Sequence, residues 1–423
     1  MVGLVDGNNF FVSCERVVDP ALAGRAVAVL SNNDGCCVSR SAEFKALGIP
    51  MGTPRFKLRD KERRGEVTLL SSNFELYGDL SARVMAVLRE HAVEVEQYSI
   101  DEAFIRPPSF ANRDLEAYGR EVRAAVLQQT GIPCGIGFAP TKTLAKIANH
   151  IGKTRSTGVH VLPRDTAELF SKLPVSEVWG VGRRLVEKLH AERIFTIAQL
   201  CAASPDVLMR VGGVTLLRTV RELQGEPSLT ARDYDADPGS ITYSRSFGEH
   251  VADCASLCES IFAFASRASE KLRRHRLLAS GCLVYAQYGP TLERTFLSQS
   301  VVFPAPTDAT GSIIAALRPA AQSLYRPETV YCKSGISFFG LSSRSSPLQG
   351  SLFEEYAARN ANTLRQKAET KLFAAVDALN ARLGRDTVSV ASVGLGTHKA
   401  WRVKMDNRSK RATTNWDELI TVK

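Results

Sequence analysis

Apolar positions along the chain change period several times, and each change marks an element. "MVGLVD" is a run of small and β-branched residues of strand length ending at Asp6, and "NNFFVSCERVV" behind it reads as a helix. "AVEVEQ" and "IDEAFIR" read as the two strands of a hairpin, "DLEAYGREVRAAVLQQTG" as a helix stopped at Gly131, and "CGIGFA" as another short strand. The order is β-α, an insertion, then β-β-α-β, which is a ferredoxin-like βαββαβ unit interrupted near residues 21–74. A strict period of two would send Asp101 and Glu102 to opposite faces of a strand. Both can serve one site only if a turn or bulge lies at "SIDE".

Past residue 165 the pattern turns helical. "LPVSEVWGVGRRLVEKLHAERIFTIAQL" gives helix, Gly-Val-Gly turn, helix, and "PDVLMRVGGVTLLRTVRELQG" adds a second helical stretch, together a helix-hairpin-helix region over 166–231. The acidic "ARDYDADPGS" predicts a linker at 232–240. Over 241–345, strand-like runs such as "SGCLVYAQY" and "KSGISFFGL" surround the helix "SLCESIFAFASRASEKLRRHR", a separate α+β domain. Residues 346–423 form a polar linker and a tail, with a helix that places Leu364, Ala368, Leu372, Val376, Leu379 and Leu383 roughly on one face. The expected fold class is α+β and multidomain.

A chain of 423 residues with 44% hydrophobic content exceeds one core of ordinary size. Its 54 Lys and Arg against 44 Asp and Glu give a net charge of +10, which favours a polyanionic partner. No run of 18 apolar residues occurs and the start lacks a signal-peptide pattern, so a soluble cytoplasmic protein is expected, with nucleic acid and an anionic membrane surface both open as the polyanion. Nine cysteines without a C-x-x-C pair fit reduced thiols, with Cys254 and Cys258 as packing residues one helical turn apart.

Chemistry enters at "YSIDEAF". An ionised carboxylate buried without a partner costs several kcal/mol, so Asp101 and Glu102 are either surface acids at a strand end or ligands of a hard cation such as Mg²⁺. The neighbouring strand ends in Asp6, which supplies a third acid, although Asp6 also suits helix N-capping. Three such carboxylates match two-metal phosphoryl transfer, with ions about 4 Å apart. Of Phe10 and Phe11, one faces the core and the other is a candidate to pack on a sugar and exclude a 2′-hydroxyl. Arg40, Lys45 and Lys153 are the candidate triphosphate cations, and Arg40 converges with Lys45 only if it precedes the helix that carries Lys45. Gly180 and Gly182 open a helix whose first N–H groups, with Arg183 and Arg184, suit a DNA phosphate. Lys271, Arg273, Arg274 and Arg276 in "KLRRHR" form a basic ridge for duplex backbone. "QGSLF" offers Gln349, Leu352 and Phe353 to an apolar groove on a partner. Each element also has a plain reading: a core ring, a solvated charge, a helical hairpin, a chance pentapeptide.

Standing in this order, "VDGNNFFVSCE", "SNNDGCCVSRSAEFKALGIPMG", "SSNFELYGDLSARV", "YSIDEAF", "GIGFAPTKTLAKIAN", "WGVGRRL" and "SRSFGE" resemble the Y-family DNA polymerases, essentially end to end. The resemblance implies a palm (1–20 and 75–165), fingers (21–74), a thumb (166–231), a little finger (241–345) and a tail with a clamp-binding-like motif. It implies error-prone translesion synthesis in the bacterial SOS response, with Asp6, Asp101 and Glu102 as Mg²⁺ ligands. Phe11 stands at the sugar-discriminating position and Lys153 at that of a palm lysine that contacts triphosphate. The implied partners are primer-template DNA, deoxynucleoside triphosphates, a processed UmuD-like dimer, the RecA filament and the sliding clamp, with no membrane partner. Ala42 and Lys45 replace the Tyr and Arg of many members, which leaves Arg40 as a substitute, and Gly350 replaces the commoner Leu of the clamp motif. Two rival functions are a catalytically idle, clamp-recruiting binder of primer ends and a nucleotidyl cyclase.

Overall fold

The computed structural model describes residues 1–109, 114–153, 157–229, 238–289, 293–345, 356–384, 386–396 and 399–419, with side chains from residue 368 onward in the last helix. The chain divides into two units, Met1–Asp235 with Asp406–Lys423, and Ala236–Met405. Clamp-motif residues Gln349, Gly350, Leu352 and Phe353 lie outside the described residues, as does all of the 232–240 linker except 238–240.

In the first unit β1 (Val2–Gly7) leads into α1 (Phe10–Val18). The insertion contributes β2 (Val27–Leu30), β3 (Cys37–Arg40), α2 (Ala42–Ala46), α3 (Arg59–Arg63) and β4 (Thr68–Ser71). Then come α4 (Phe74–His91), β5 (Glu94–Gln97), β6 (Glu102–Arg106), α5 (Leu115–Thr130), β7 (Cys134–Ala139), α6 (Lys142–Lys153) and β8 (Val159–Val161). The main sheet runs β5-β6-β1-β7-β8. Its first four strands have the ferredoxin-like order, and β8 adds in parallel to β7. Alternation along β1 divides the core: Val5 packs with Tyr77, Leu80, Val122 and Ile136 on one face, while Leu4 packs with Leu144, Ala145 and Ala148 of α6 on the other. Helix α6 sits close because Gly137 has no side chain; a Cβ there would lie 2.0 Å from the Asn149 nitrogen.

The inserted segment builds its own sheet, in the order β3-β2-β4, over Ala28, Leu30, Cys37, Phe44, Leu58 and Leu69. Four-residue strands are too short to show a period, so the sequence marked only an insertion. Beyond the main sheet, α7 (Ala167–Lys172), α8 (Arg183–Ala191), α9 (Ile197–Ala202) and α10 (Pro205–Leu223) share a core with α6. Thr196 and Gln199 form a capping box that starts α9, and α10 breaks at Gly213, where φ is 67°.

The second unit holds β9 (Ile241–Val251), α11 (Cys254–Arg274), β10 (Leu277–Tyr288), β11 (Thr295–Thr307), α12 (Thr310–Ser323), β12 (Tyr331–Ser343) and α13 (Tyr356–Leu383). Its antiparallel sheet runs β11-β10-β12-β9, and Ile261, Phe264, Leu272, Ile313 and Leu317 of α11 and α12 pack against Val284, Ile336 and Phe338. Helix α12 was not foreseen, because Pro319 in its interior reads as a breaker. The apolar face expected on α13 is corrected. Leu372, Leu379 and Leu383 are exposed, and Phe373 is the buried anchor. Arg273 sets that rotation: its guanidinium donates to both Asp377 oxygens at 2.6 and 2.9 Å and lies over the Phe373 ring. No helix among the described residues is long and apolar enough to cross a membrane.

Candidate active site

Asp6 and Glu102 stand opposite each other where β1 and β6 run antiparallel. The irregularity required at "SIDE" is present: the chain leaves β5 at Gln97 and enters β6 at Glu102, with Tyr98–Asp101 outside both strands. Ser99 holds that turn. Its Oγ accepts from the N–H groups of Asp101 (3.2 Å) and Glu102 (2.9 Å) and donates to Asp101 Oδ1 at 2.6 Å. The Asp101 carbonyl accepts from Gly7 N–H at 2.9 Å, which ties the turn to the end of β1. Asp6 does not cap α1. It lies inside β1, and the residue at the helix start is Asn9, with φ 49° and no side-chain cap.

The electrostatics of the strand ends are tightly balanced. Burial raises the Asp6 pKa above the ordinary carboxylate range, the Lys153 ammonium opposes this, and the Glu102 carboxylate adds to it. Lys153 Nζ donates to Asp6 Oδ2 at 2.8 Å, and Lys146 Nζ lies 2.9 Å from both Glu102 oxygens. Asp101 is turned instead to Ser99 and adds to the rise in the buried Cys14 thiol's pKa. Among the described residues no group of three His, Cys, Asp or Glu side chains is placed to hold a metal ion. The structure thus brings Asp6 and Glu102 together and leaves the Asp101 carboxylate on Ser99. The donor chemistry still fits a divalent cation, since all three groups are hard oxygen donors and Asp6 and Glu102 each pull in an ammonium.

Around Asp6 the predicted cations converge. Lys45 Nζ donates to Asn9 Oδ1 at 2.6 Å. The Lys45 pKa is lowered by burial, by Arg40 and by Lys153, and Asp6 counteracts them, so the four charges share one neighbourhood. Arg40 ends β3 and Ser41 caps α2, so Arg40 does precede the helix that carries Lys45. Phe10 is buried in the core. Phe11 stacks on Tyr77, with centroids 4.6 Å apart and planes at 14°, and meets the edge of Phe74 at 5.9 Å. Behind this stack the Tyr77 hydroxyl donates to Glu15 Oε1 at 2.5 Å, and Glu15 is itself fully buried.

Sequence reasoning missed Lys142 and Lys146. They lie four apart on α6, Lys142 on Glu96 at 2.7 Å and Lys146 on Glu102, with Lys146 also 4.8 Å from the Tyr98 ring and 5.1 Å from that of Trp179. Their spacing was visible, but the facing carboxylates become apparent only once the sheet order is known. Gly180 has φ 85° and Gly182 stands at the start of α8, where the Arg183 side chain is 93% exposed beside an exposed Arg184. In the basic run, Lys271, Arg274 and Arg276 are exposed. Arg273 is corrected: its side chain is 8% exposed, being spent on Asp377, the Asp308 carbonyl and Thr310. All nine cysteines are free, with Cys254 and Cys258 sulfurs 4.0 Å apart.

Residues 5–150 match the impB/mucB/samB family, residues 238–352 the C-terminal domain of that family, and residues 370–422 a domain of unknown function (DUF4113). The chain is 39% identical to Protein UmuC of Salmonella typhimurium strain LT2, with 100% of each chain covered. It is 37% identical to Protein MucB of Escherichia coli over 99% of each, and 31% identical to DNA polymerase IV 1 of Bacillus subtilis over 67% of this chain and 69% of that one. In fold it is similar to a Y-family DNA polymerase chimera, with 20% identity, a TM-score of 0.63, and coverage of 81% of this chain and 99% of that one. It is also similar to an insertion ternary complex of Dbh DNA polymerase, with 19% identity, a TM-score of 0.52 and the same coverage. The fold and its relatives thus define a DNA-directed DNA polymerase of the translesion, DNA-repair class. Within that class, the chain belongs to the impB/mucB/samB family of UmuC-like Y-family polymerases.

Proposed function

We propose that this polymerase extends primers across damaged template by two-metal nucleotidyl transfer, with Asp6, Asp101 and Glu102 holding the Mg²⁺ ions. When bound, such ions activate the primer 3′-hydroxyl and neutralise charge on the leaving pyrophosphate. The chain's own residues supply the rest. Lys45, Arg40 and Lys153 neutralise and orient the triphosphate, Lys153 being close enough to Asp6 to serve both its carboxylate and a phosphate oxygen. Lys146 holds the Glu102 carboxylate in place. Phe11, backed by Tyr77, presents its ring to the sugar and excludes a 2′-hydroxyl. The observation that carries this reading is the opposition of Asp6 and Glu102 at the strand ends, with three cations gathered on the same side.

In this reading, palm, fingers, thumb and little finger take 1–20 with 75–165, 21–74, 166–231 and 241–345. Duplex DNA is held by the α8 start with Arg183 and Arg184, and by Lys271, Arg274 and Arg276. The protein acts in the cytoplasm during the SOS response, with a processed UmuD-like dimer, the RecA filament and the sliding clamp as partners. Primer extension with Asp101→Ala and Glu102→Ala tests the chemistry: each should lower kcat about 10³-fold or more, and unchanged extension by either refutes it. Salt-dependent DNA binding without Mg²⁺-dependent incorporation would instead mark a primer-end binding protein, and product formed without primer would mark a cyclase.

A further inference from the structure

The inserted sheet and the start of α4 are joined to a segment from far along the chain. Ser71 at the end of β4 is fully buried; its N–H donates to the Asn407 carbonyl at 3.0 Å and its Oγ accepts from Asn407 N–H at 2.9 Å. A parallel bridge between Ser71 and Arg408 extends β4, which is an edge strand of its own sheet, and Asp406 N–H donates to Asp34 Oδ2 at 3.2 Å. The next residues grip the start of α4. Asn73 is its N-cap, accepting from Leu76 N–H through Oδ1, while its Nδ2 donates to Ser409 Oγ at 2.9 Å and to the Ser409 and Lys410 carbonyls at 3.3 and 3.2 Å. Arg411 is fixed by Glu418 and lies 3.5 Å from Glu75 in the same helical turn.

That turn carries Phe74 and Tyr77, the two rings that bracket Phe11. We propose that Asp406–Leu419 is a strap that positions this aromatic stack, and thereby sets how strictly the nucleotide site rejects a ribose. The strap lies within the stretch that matches a domain of unknown function, and the inference rests on Phe11 being the sugar-discriminating ring. The Glu15 carboxyl, raised by burial, is held down by the Tyr77 and Ser409 hydroxyls, so the strap also acts on the charge behind the stack. In this role Ser409, Asn73 and Tyr77 are positioning residues that touch no substrate.

The test is single-nucleotide incorporation of deoxy- and ribonucleotides by the full chain and by Phe11→Ala, Ser409→Ala, Ser409→Thr and Asn407→Pro. Asn407→Pro deletes the N–H that Ser71 accepts. Ser409→Ala and Asn407→Pro should raise KM and reduce the deoxy-to-ribo ratio of kcat/KM about tenfold, with kcat for deoxynucleotide within about twofold of the parent. Ser409→Thr, which keeps the hydroxyl, should restore the ratio. Tryptic cleavage after Lys410 or Arg411 reports release of the strap in Asn407→Pro. A changed ratio in Phe11→Ala with none in a strap variant whose tail is cleaved overturns the strap inference alone. An unchanged ratio in Phe11→Ala overturns the sugar-discrimination reading, and the inference with it.

Discussion

Glu222, next to the last residue of α10, is 1% exposed, and both its oxygens are used. Oε2 accepts from Thr143 N–H at 3.0 Å in the first turn of α6, and Oε1 accepts from the N–H groups of Ser228 (2.7 Å) and Leu229 (3.1 Å). Glu222→Ala removes all three bonds but spares the one from Thr141 Oγ1 to the Glu222 carbonyl. Thr143 is fully buried, so its N–H loses any partner, at about 1–3 kcal/mol; Ser228 and Leu229 are half-buried and recover part of their loss from water, at about 0.5–1.5 kcal/mol each. The expected destabilisation is therefore about 2–6 kcal/mol, a large share of a typical domain's stability. Urea unfolding read through Trp179, with Trp401 and Trp416 replaced by Phe, isolates the first unit. Primer extension should fall in parallel, because the first turn of α6 leads to Lys146 and its hold on Glu102. A loss below about 1 kcal/mol would show that Glu222 is dispensable and refute the reasoning.

Three further outcomes follow from the packing and charge. Gly137→Ala should destabilise the first unit by about 3 kcal/mol or more, because the added carbon meets backbone rather than a movable side chain; a urea midpoint equal to that of the parent would contradict the close approach of α6. Burial raises the Glu15 pKa, so its stabilising contribution is present below the ordinary carboxylate range and is lost as pH rises through the folded value. Glu15→Gln keeps an acceptor for Tyr77 and should gain in Tm over the parent progressively as pH rises above the ordinary carboxylate range, whereas parallel Tm curves would show that Glu15 titrates normally. Arg273→Ala should cost the second unit about 3–5 kcal/mol in urea unfolding while leaving the salt dependence of DNA binding unchanged; Arg274→Ala should reduce the slope of log K against log salt by about one. The reverse pattern would return Arg273 to the DNA-facing ridge.

The ferredoxin-like order was legible because β1, β6, β7 and the helices between them are long enough to show a period, the four-residue β5 being read only as the hairpin partner of β6, and Leu4 and Val5 divide between the two faces as a strand requires. The turn before Glu102 was legible for the same reason: period two could not otherwise direct both acids to one place. Arg40 and Lys45 can converge because Arg40 ends β3 and so precedes α2, which Ser41 caps. What escaped depends on partners distant in sequence. The inserted sheet joins β2 to β4 in parallel, the rotation of α13 is chosen by the Arg273–Asp377 pair rather than by its leucines, and Lys146 acquires its role only from Glu102. The Asp101 carboxylate was expected to join the other two acids, but the local hydroxyl of Ser99, two residues away, claims it first.

The bond from Asn73 to Ser409 spans 336 residues of chain. A ribosome adding about 5–20 residues per second leaves roughly 15–70 s between synthesis of the two. Throughout that interval β4 presents a bare edge, open to pairing with another nascent polypeptide. If the tail is the strap proposed here, a message cut short before codon 406 would yield a polymerase that keeps Asp6, Glu102, Lys45 and Lys153 in place but is prone to aggregate and careless about which sugar it accepts.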